Sequence, residues 1–147
     1  MKTILVPVDF SDVTGKVVET AAAIAGAFGS RVILVHVTEP EPQFVAYDPV
    51  PMPVPTAVIG DVQANRQQLE ALKGKFGAGD VLAIPVLGTP REEILNLARK
   101  HNATLIVIGS HGHGALYQLF VGSVTAAILK EAPCPVLVVP GIAAADR

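Results

Sequence analysis

After the apolar run Thr104–Ile108 the chain reads Gly109-Ser110-His111-Gly112, then nine residues, then Gly122-Ser123-Val124-Thr125. These residue types suit the binding of an anion without a strongly basic side chain. Gly109 stands where a strand would end, and there a ligand can approach a bare backbone. Gly112 allows a turn with positive φ. Gly122 and Ser123 open a helix, whose first N–H groups have no intrahelical partner and favour negative charge. Ser123 and Thr125 can add hydroxyl donors. Together these residues would form a phosphate cradle, with His111 inside it and able to reach a phosphate. Each glycine taken alone reads as an ordinary turn residue; the spacing of all of them favours the cradle.

Other nucleotide signatures are absent. The phosphate-binding pattern GxxxxGK[ST] does not occur. The dinucleotide pattern GxGxxG starts at Gly112-His113-Gly114 but fails at Tyr117, and the first strand is followed by Asp9-Phe10-Ser11 with no glycine. A dehydrogenase or an ordinary P-loop enzyme is therefore not expected. His111 and His113 form a His-x-His pair, yet no cysteine or carboxylate lies beside them, so a metal role is not the favoured reading. His36 and His101 read as structural or solvent-exposed. Cys134, between two prolines and without a basic neighbour, reads as a small apolar residue and not as a reactive thiol. The segment His101–Leu129 contains no Lys or Arg. Phosphate charge would be left to backbone dipoles, hydroxyls and His111.

The elements that must position these residues follow from the apolar pattern. Val/Ile/Leu-rich runs at Thr3–Val8, Arg31–Val37, Val81–Leu87, Thr104–Ile108 and Pro135–Val139 suit strands buried on both faces of a parallel sheet. Four helices are expected between them. The first follows Ser11 and Asp12 as caps, carries Val17, Ala21, Ile24 and Phe28 at helical spacing, and stops at Gly29. The second covers about 56–76, with Val62, Leu69, Leu72 and Phe76 on one stripe. The third starts at Thr89-Pro90, has Glu92 and Glu93 in its first turn, and turns Ile94, Leu97 and Ala98 inward. The fourth runs from Ser123 to about Lys130. The alternation predicts a single-domain α/β sandwich with right-handed crossovers over residues 1–147. One stretch breaks the rhythm. Glu39–Pro55 holds half of the chain's 12 prolines, so it reads as an extended surface loop. Its Phe44, Tyr47 and Met52 could fold over a pocket as a lid, or the segment is a plain connection.

Composition narrows the function classes. The 147 residues are 50% hydrophobic and 16% charged, with a formal net charge of −2. That lacks the basic face of a nucleic-acid-binding domain and is too apolar for disorder. One cysteine allows no internal disulfide. No apolar run reaches the roughly 20 residues of a membrane span, and the opening MKTILVPVDFSD lacks signal-peptide character. A soluble cytoplasmic domain is expected.

The spacing G-x2-G-x9-G-[ST] resembles the nucleotide motif of the universal stress protein family in its ATP-binding branch, matched by Gly109, Gly112, Gly122 and Ser123 with Val124 and Thr125 in register. The opening ILVPVDFSD, the VHV that ends the second strand and the closing PCPVLVVP are also similar to that family, so the resemblance covers nearly the whole chain. It implies a Rossmann-like five-stranded parallel sheet in the order 3-2-1-4-5. The ligand would then sit at the carboxyl ends of strands 1 and 4, the topological switch point. The resemblance also implies that Asp9 contacts the ribose or helps hold Mg²⁺, with helix capping as its other reading, and that Val37 offers backbone groups to adenine. Pro7 and Val8 would line the floor and Ile108 would border the site. In that order strand 5 is an apolar edge, Val136, Leu137, Val138 and Val139, which invites aggregation unless paired. Family members dimerise there, so a homodimer is expected. The implied function is an adenine-nucleotide-binding stress-response switch, for ATP with ADP or AMP as alternatives. A slow ATPase or phosphotransferase and a nucleotide-free interaction module are the competing readings.

Overall fold

In the computed structural model, strands form where β-branched runs are bounded by Gly, Pro or Asp, and helices where the apolar period lengthens. The structure describes residues 2–40, 56–110 and 121–141, with backbone only at 56–60. The order is β1 (Thr3–Pro7), α1 (Thr14–Phe28), β2 (Arg31–Thr38), α2 (Thr56–Lys73) running into a 3-10 turn (Gly74–Phe76), β3 (Val81–Leu87), α3 (Pro90–Lys100), β4 (Leu105–Gly109), α4 (Ser123–Glu131) and β5 (Val136–Val139). All neighbouring pairs are parallel and the sheet order is β3-β2-β1-β4-β5. The five strands, four helices and strand order expected from the sequence are all present. The lid residues Phe44, Tyr47 and Met52 lie outside the described residues.

The inner strands are buried on both faces, and alternate residues serve different cores. Ile4, Val6, Val32, Leu34, Leu105 and Val107 join Val17, Val18 and Ala21 of α1 and Leu69 of α2. Leu5, Ile33, Val35, Ile106 and Ile108 join Ile94, Leu95, Leu97 and Ala98 of α3 and Ile128 of α4. This gives three layers, with α1 and α2 on one face of the sheet and α3 and α4 on the other. The near-continuous apolar runs are the direct consequence.

Helix ends follow local chemistry only in part. Gly29 closes α1 in the left-handed region, φ 61°, and donates its N–H to the Ala25 carbonyl. Phe28 does not complete the inner stripe of α1; it is 61% exposed. Ser11 and Asp12 do not cap α1. The N-cap position falls on Val13, without a side-chain cap bond, and Ser11 instead accepts the Thr14 N–H through its carbonyl in a turn. Pro90 occupies the first turn of α3 after Thr89, whose side chain makes no cap bond. The acidic residues in that first turn and Arg99 and Lys100 in the last complement the dipole.

Candidate functional site

β1 and β4 lie side by side, with Ile4 opposite Leu105 and Leu5 opposite Ile106. The helices that follow them depart to opposite faces: α1 packs into the core shared with α2, and α4 into the core shared with α3. Divergence of this kind opens a crevice at the carboxyl ends of the two strands, where open α/β sheets hold their ligands.

One wall is the turn after β1. Val8 continues past the strand, donating its N–H to the Val35 carbonyl at 2.8 Å. Asp9 follows, and its Oδ1 accepts the Ser11 N–H at 2.9 Å. Between them Phe10 has φ 60°, in the left-handed region. An aromatic residue there is a genuine outlier, and such a conformation costs roughly 1–3 kcal/mol unless the surroundings enforce it. His36 of β2 supplies part of that enforcement. Its Nδ1 lies 2.8 Å from the Val8 carbonyl, to which it donates. Its ring packs on Phe10 with centroids 4.5 Å apart and planes at 32°. Nearby, Ser11 Oγ and Thr14 Oγ1 are buried without a hydrogen-bond partner, a further penalty of about 1–3 kcal/mol each where no water or ligand reaches them. Strain and unsatisfied groups thus concentrate in this turn.

The other wall joins β4 to α4. The Ser110 N–H donates to Val139 at the end of β5, and the Ser110 carbonyl accepts the Gly122 N–H at 2.7 Å. Ser110 Oγ accepts the Gly141 N–H at 3.2 Å. One serine therefore ties the end of β4, the end of β5 and the start of α4 together. The first intrahelical bond of α4 runs from Ala126 to the Gly122 carbonyl. The N–H groups of Ser123, Val124 and Thr125 precede it and have no intrahelical acceptor. Ser123 is exposed.

Thr125 departs from its expected role. It is buried, and its hydroxyl donates to the Gly109 carbonyl at 2.8 Å. The single hydroxyl proton is already engaged, so Thr125 pins α4 to β4 and is not a hydroxyl donor to a phosphate. Thr125→Val keeps the shape and leaves that carbonyl without its partner. We expect a loss of about 1–3 kcal/mol of stability, measured as a lower denaturation midpoint with an unchanged m-value.

The structure brings Pro7, Val8, Asp9, Gly109, Gly122, Ser123, Val124 and Thr125 to the strand ends that frame one crevice. Val37 lies one strand further along, at the end of β2, half-buried against the α3/α4 core. Val8 and Ile108 are buried in opposite cores, so they border the crevice mainly through backbone. Val124 also turns its side chain into the α3/α4 core. His111, Gly112 and His113 lie outside the described residues. Sequence reading passed over Phe10, and it took His36 as structural or solvent-exposed without placing it beside the site. The signal available was weak: a histidine inside an apolar strand, and an aromatic at a turn position that favours glycine. His101 ends α3, donating its N–H to the Leu97 carbonyl; burial, then Lys100 and Arg31, push its pKa down. Burial pushes the Cys134 thiol up, away from reactive thiolate character.

Among the described residues no group of three His, Cys, Asp or Glu side chains could hold a metal ion, and no helix is long and apolar enough to cross a membrane.

A doubly wound parallel α/β domain, in which the helices after β1 and β4 leave to opposite faces of the sheet, is the class that the fold defines. The universal stress protein family model matches residues 1–140, and the chain belongs to that family. It is 37% identical over 138 residues to a universal stress protein of Thermus aquaticus encoded in a QAH/OAS sulfhydrylase 3′ region, covering 94% of this chain and 98% of the relative. The universal stress protein MJ0577 of Methanocaldococcus jannaschii is 28% identical, covering 94% of each chain. The solved structure of MJ0577 superposes with a TM-score of 0.77 over 96% of both chains. A universal stress protein solved in complex with cAMP is 25% identical, with a TM-score of 0.69 over 94% of this chain and 96% of that one.

Proposed function

We propose that this chain binds an adenine nucleotide, ATP with Mg²⁺, at the carboxyl ends of β1 and β4, and acts in the cytoplasm as a stress-response switch. The observation that carries the reading is the joint between β4 and α4. Gly109 ends the strand, Ser110 holds the start of the helix by a 2.7 Å bond to Gly122, and the N–H groups of Ser123, Val124 and Thr125, which have no intrahelical acceptor, follow at once. Such a terminus favours phosphate. The relative solved with cAMP supports an adenine nucleotide as the ligand class.

The donor set fits a nucleotide better than a resident metal. Mg²⁺ usually keeps waters and phosphate oxygens and takes one or two protein carboxylates, and Asp9 would be that carboxylate. The phosphates would meet backbone N–H groups and the Ser123 hydroxyl. With no Lys or Arg in His101–Leu129, little charge discriminates the γ-phosphate, and ADP and AMP stay within the ligand class. Phosphoryl transfer depends on charge neutralisation and on positioning, so this reading is a binding protein with at most slow hydrolysis. In the same reading, the apolar edge Val136–Val139 pairs with a second copy about a two-fold axis.

Denaturing the purified protein and separating the released small molecules tests the ligand directly. An adenine nucleotide near one per chain, or saturable calorimetric binding of Mg·ATP by stripped protein, is the expected result. No release together with no heat from ATP, ADP, AMP or cAMP would overturn the proposal.

A further inference from the structure

We propose that His36 is a positioning residue for the nucleotide crevice, clamping the β1–α1 turn so that Asp9 is held before ligand arrives. Its place at the crevice rests on the proposed nucleotide reading; the clamp itself is a property of the ligand-free chain. His36 grips both neighbours of Asp9 from the adjacent strand. It donates from Nδ1 to the Val8 carbonyl at 2.8 Å on one side and packs its ring on Phe10, centroids 4.5 Å apart, on the other. Phe10 stands at φ 60°, where an L side chain persists only if its surroundings enforce it. The bond from the Ser11 N–H to Asp9 Oδ1, 2.9 Å, forms across that strained residue. Releasing the clamp lets Phe10 relax to negative φ, which swings the Ser11 N–H away from the carboxylate. The carboxylate orientation therefore depends on a ring twenty-seven residues further along the chain, at position 36.

The clamp predicts a specific rescue. Glycine adopts φ 60° without strain, so a chain with Gly at position 10 should no longer need His36. Amide hydrogen exchange at Ser11 in the nucleotide-free protein reads the Asp9 contact. His36→Ala should lower Ser11 protection at least tenfold and weaken Mg·ATP binding by about the same factor, while amides at the centre of β1 keep theirs. His36→Asn, which retains a donor near the Nδ1 position, should keep most of the protection. In His36→Ala/Phe10→Gly, both Ser11 protection and affinity should return to within about threefold of Phe10→Gly alone. A double variant as impaired as His36→Ala, or unchanged Ser11 protection in His36→Ala, overturns the clamp. Should Phe10→Gly lose core packing, His36→Ala/Phe10→Asn repeats the test, since Asn also tolerates this region. If the wild-type chain binds no nucleotide, the nucleotide reading fails, and the Ser11 exchange data still decide the clamp.

Discussion

Gly122→Val should abolish nucleotide binding, weakening Mg·ATP by at least a hundredfold in calorimetry, while leaving the fold intact. The reason lies in the backbone at this position. Gly122 has φ −59° and ψ 158°, a conformation open to any residue, so the chain does not need glycine there to turn. What glycine provides is space. The N–H groups of Ser123, Val124 and Thr125 can donate to a phosphate only if its oxygens come within about 3 Å, and a branched side chain on the preceding residue stands in that approach. The structural penalty is smaller. Valine is a poorer N-cap than glycine, and a change of about 1 kcal/mol is expected. The bond from the residue-122 N–H to the Ser110 carbonyl uses only backbone and should survive. Gly122→Ser separates the two effects. Serine is a good N-cap and small, so stability should hold or rise while affinity falls by a smaller factor than for valine. Retained affinity in Gly122→Val would sink the site assignment.

How much of this was legible in the sequence depends on the range of the forces involved. The layers were readable because strands covered on both faces leave no polar period: Val32–Val35 is fully buried, odd and even residues alike. The stop of α1 was readable because left-handed Gly29 is a local event. The start of α1 was not. Ser11 and Asp12 carry N-cap chemistry, yet tertiary placement of the strained turn puts the N-cap on Val13. Thr125 shows the same limit at the site. Its residue type fits a phosphate ligand, but the nearer acceptor is the Gly109 carbonyl, brought close by packing of α4 on the sheet. Phe10 is the clearest case, since propensity argues against an aromatic at φ 60°. Tertiary contacts, with His36 on a different strand and with the α1/α2 core, make it tenable.

The largest effect outside the crevice is expected at the sheet edge. β5 pairs with β4 alone among the described strands, with Ile106 opposite Val136 and Gly109 opposite Val139. Its residues divide sharply. Val139 is 4% exposed in the α1/α2 core, whereas Leu137 is 37% exposed. An edge strand that leaves a leucine partly in water and, among the described strands, pairs on one side alone is poorly protected against self-association by its own sequence, because Val136–Val139 contains neither charge nor proline. Two-fold pairing of this edge would satisfy the backbone groups and cover Leu137 in both copies at once. Leu137→Lys places a charge in each copy, so a symmetric interface meets it twice. We expect the dimer dissociation constant to rise by two orders of magnitude or more, read as a shift from dimer to monomer in light scattering and sedimentation. Monomer stability should change by less, since the leucine is already partly in water. A chain that is monomeric before substitution, or a dimer that Leu137→Lys leaves intact, would show that this edge is not the contact. The ends of β5 and β4 are tied through Ser110 to the start of α4. A nucleotide that orders the α4 terminus would therefore act on a segment bonded directly to the proposed dimer edge. Dimer affinity should accordingly rise when Mg·ATP is present, and Gly122→Val should remove that dependence while leaving the nucleotide-free dimer unchanged.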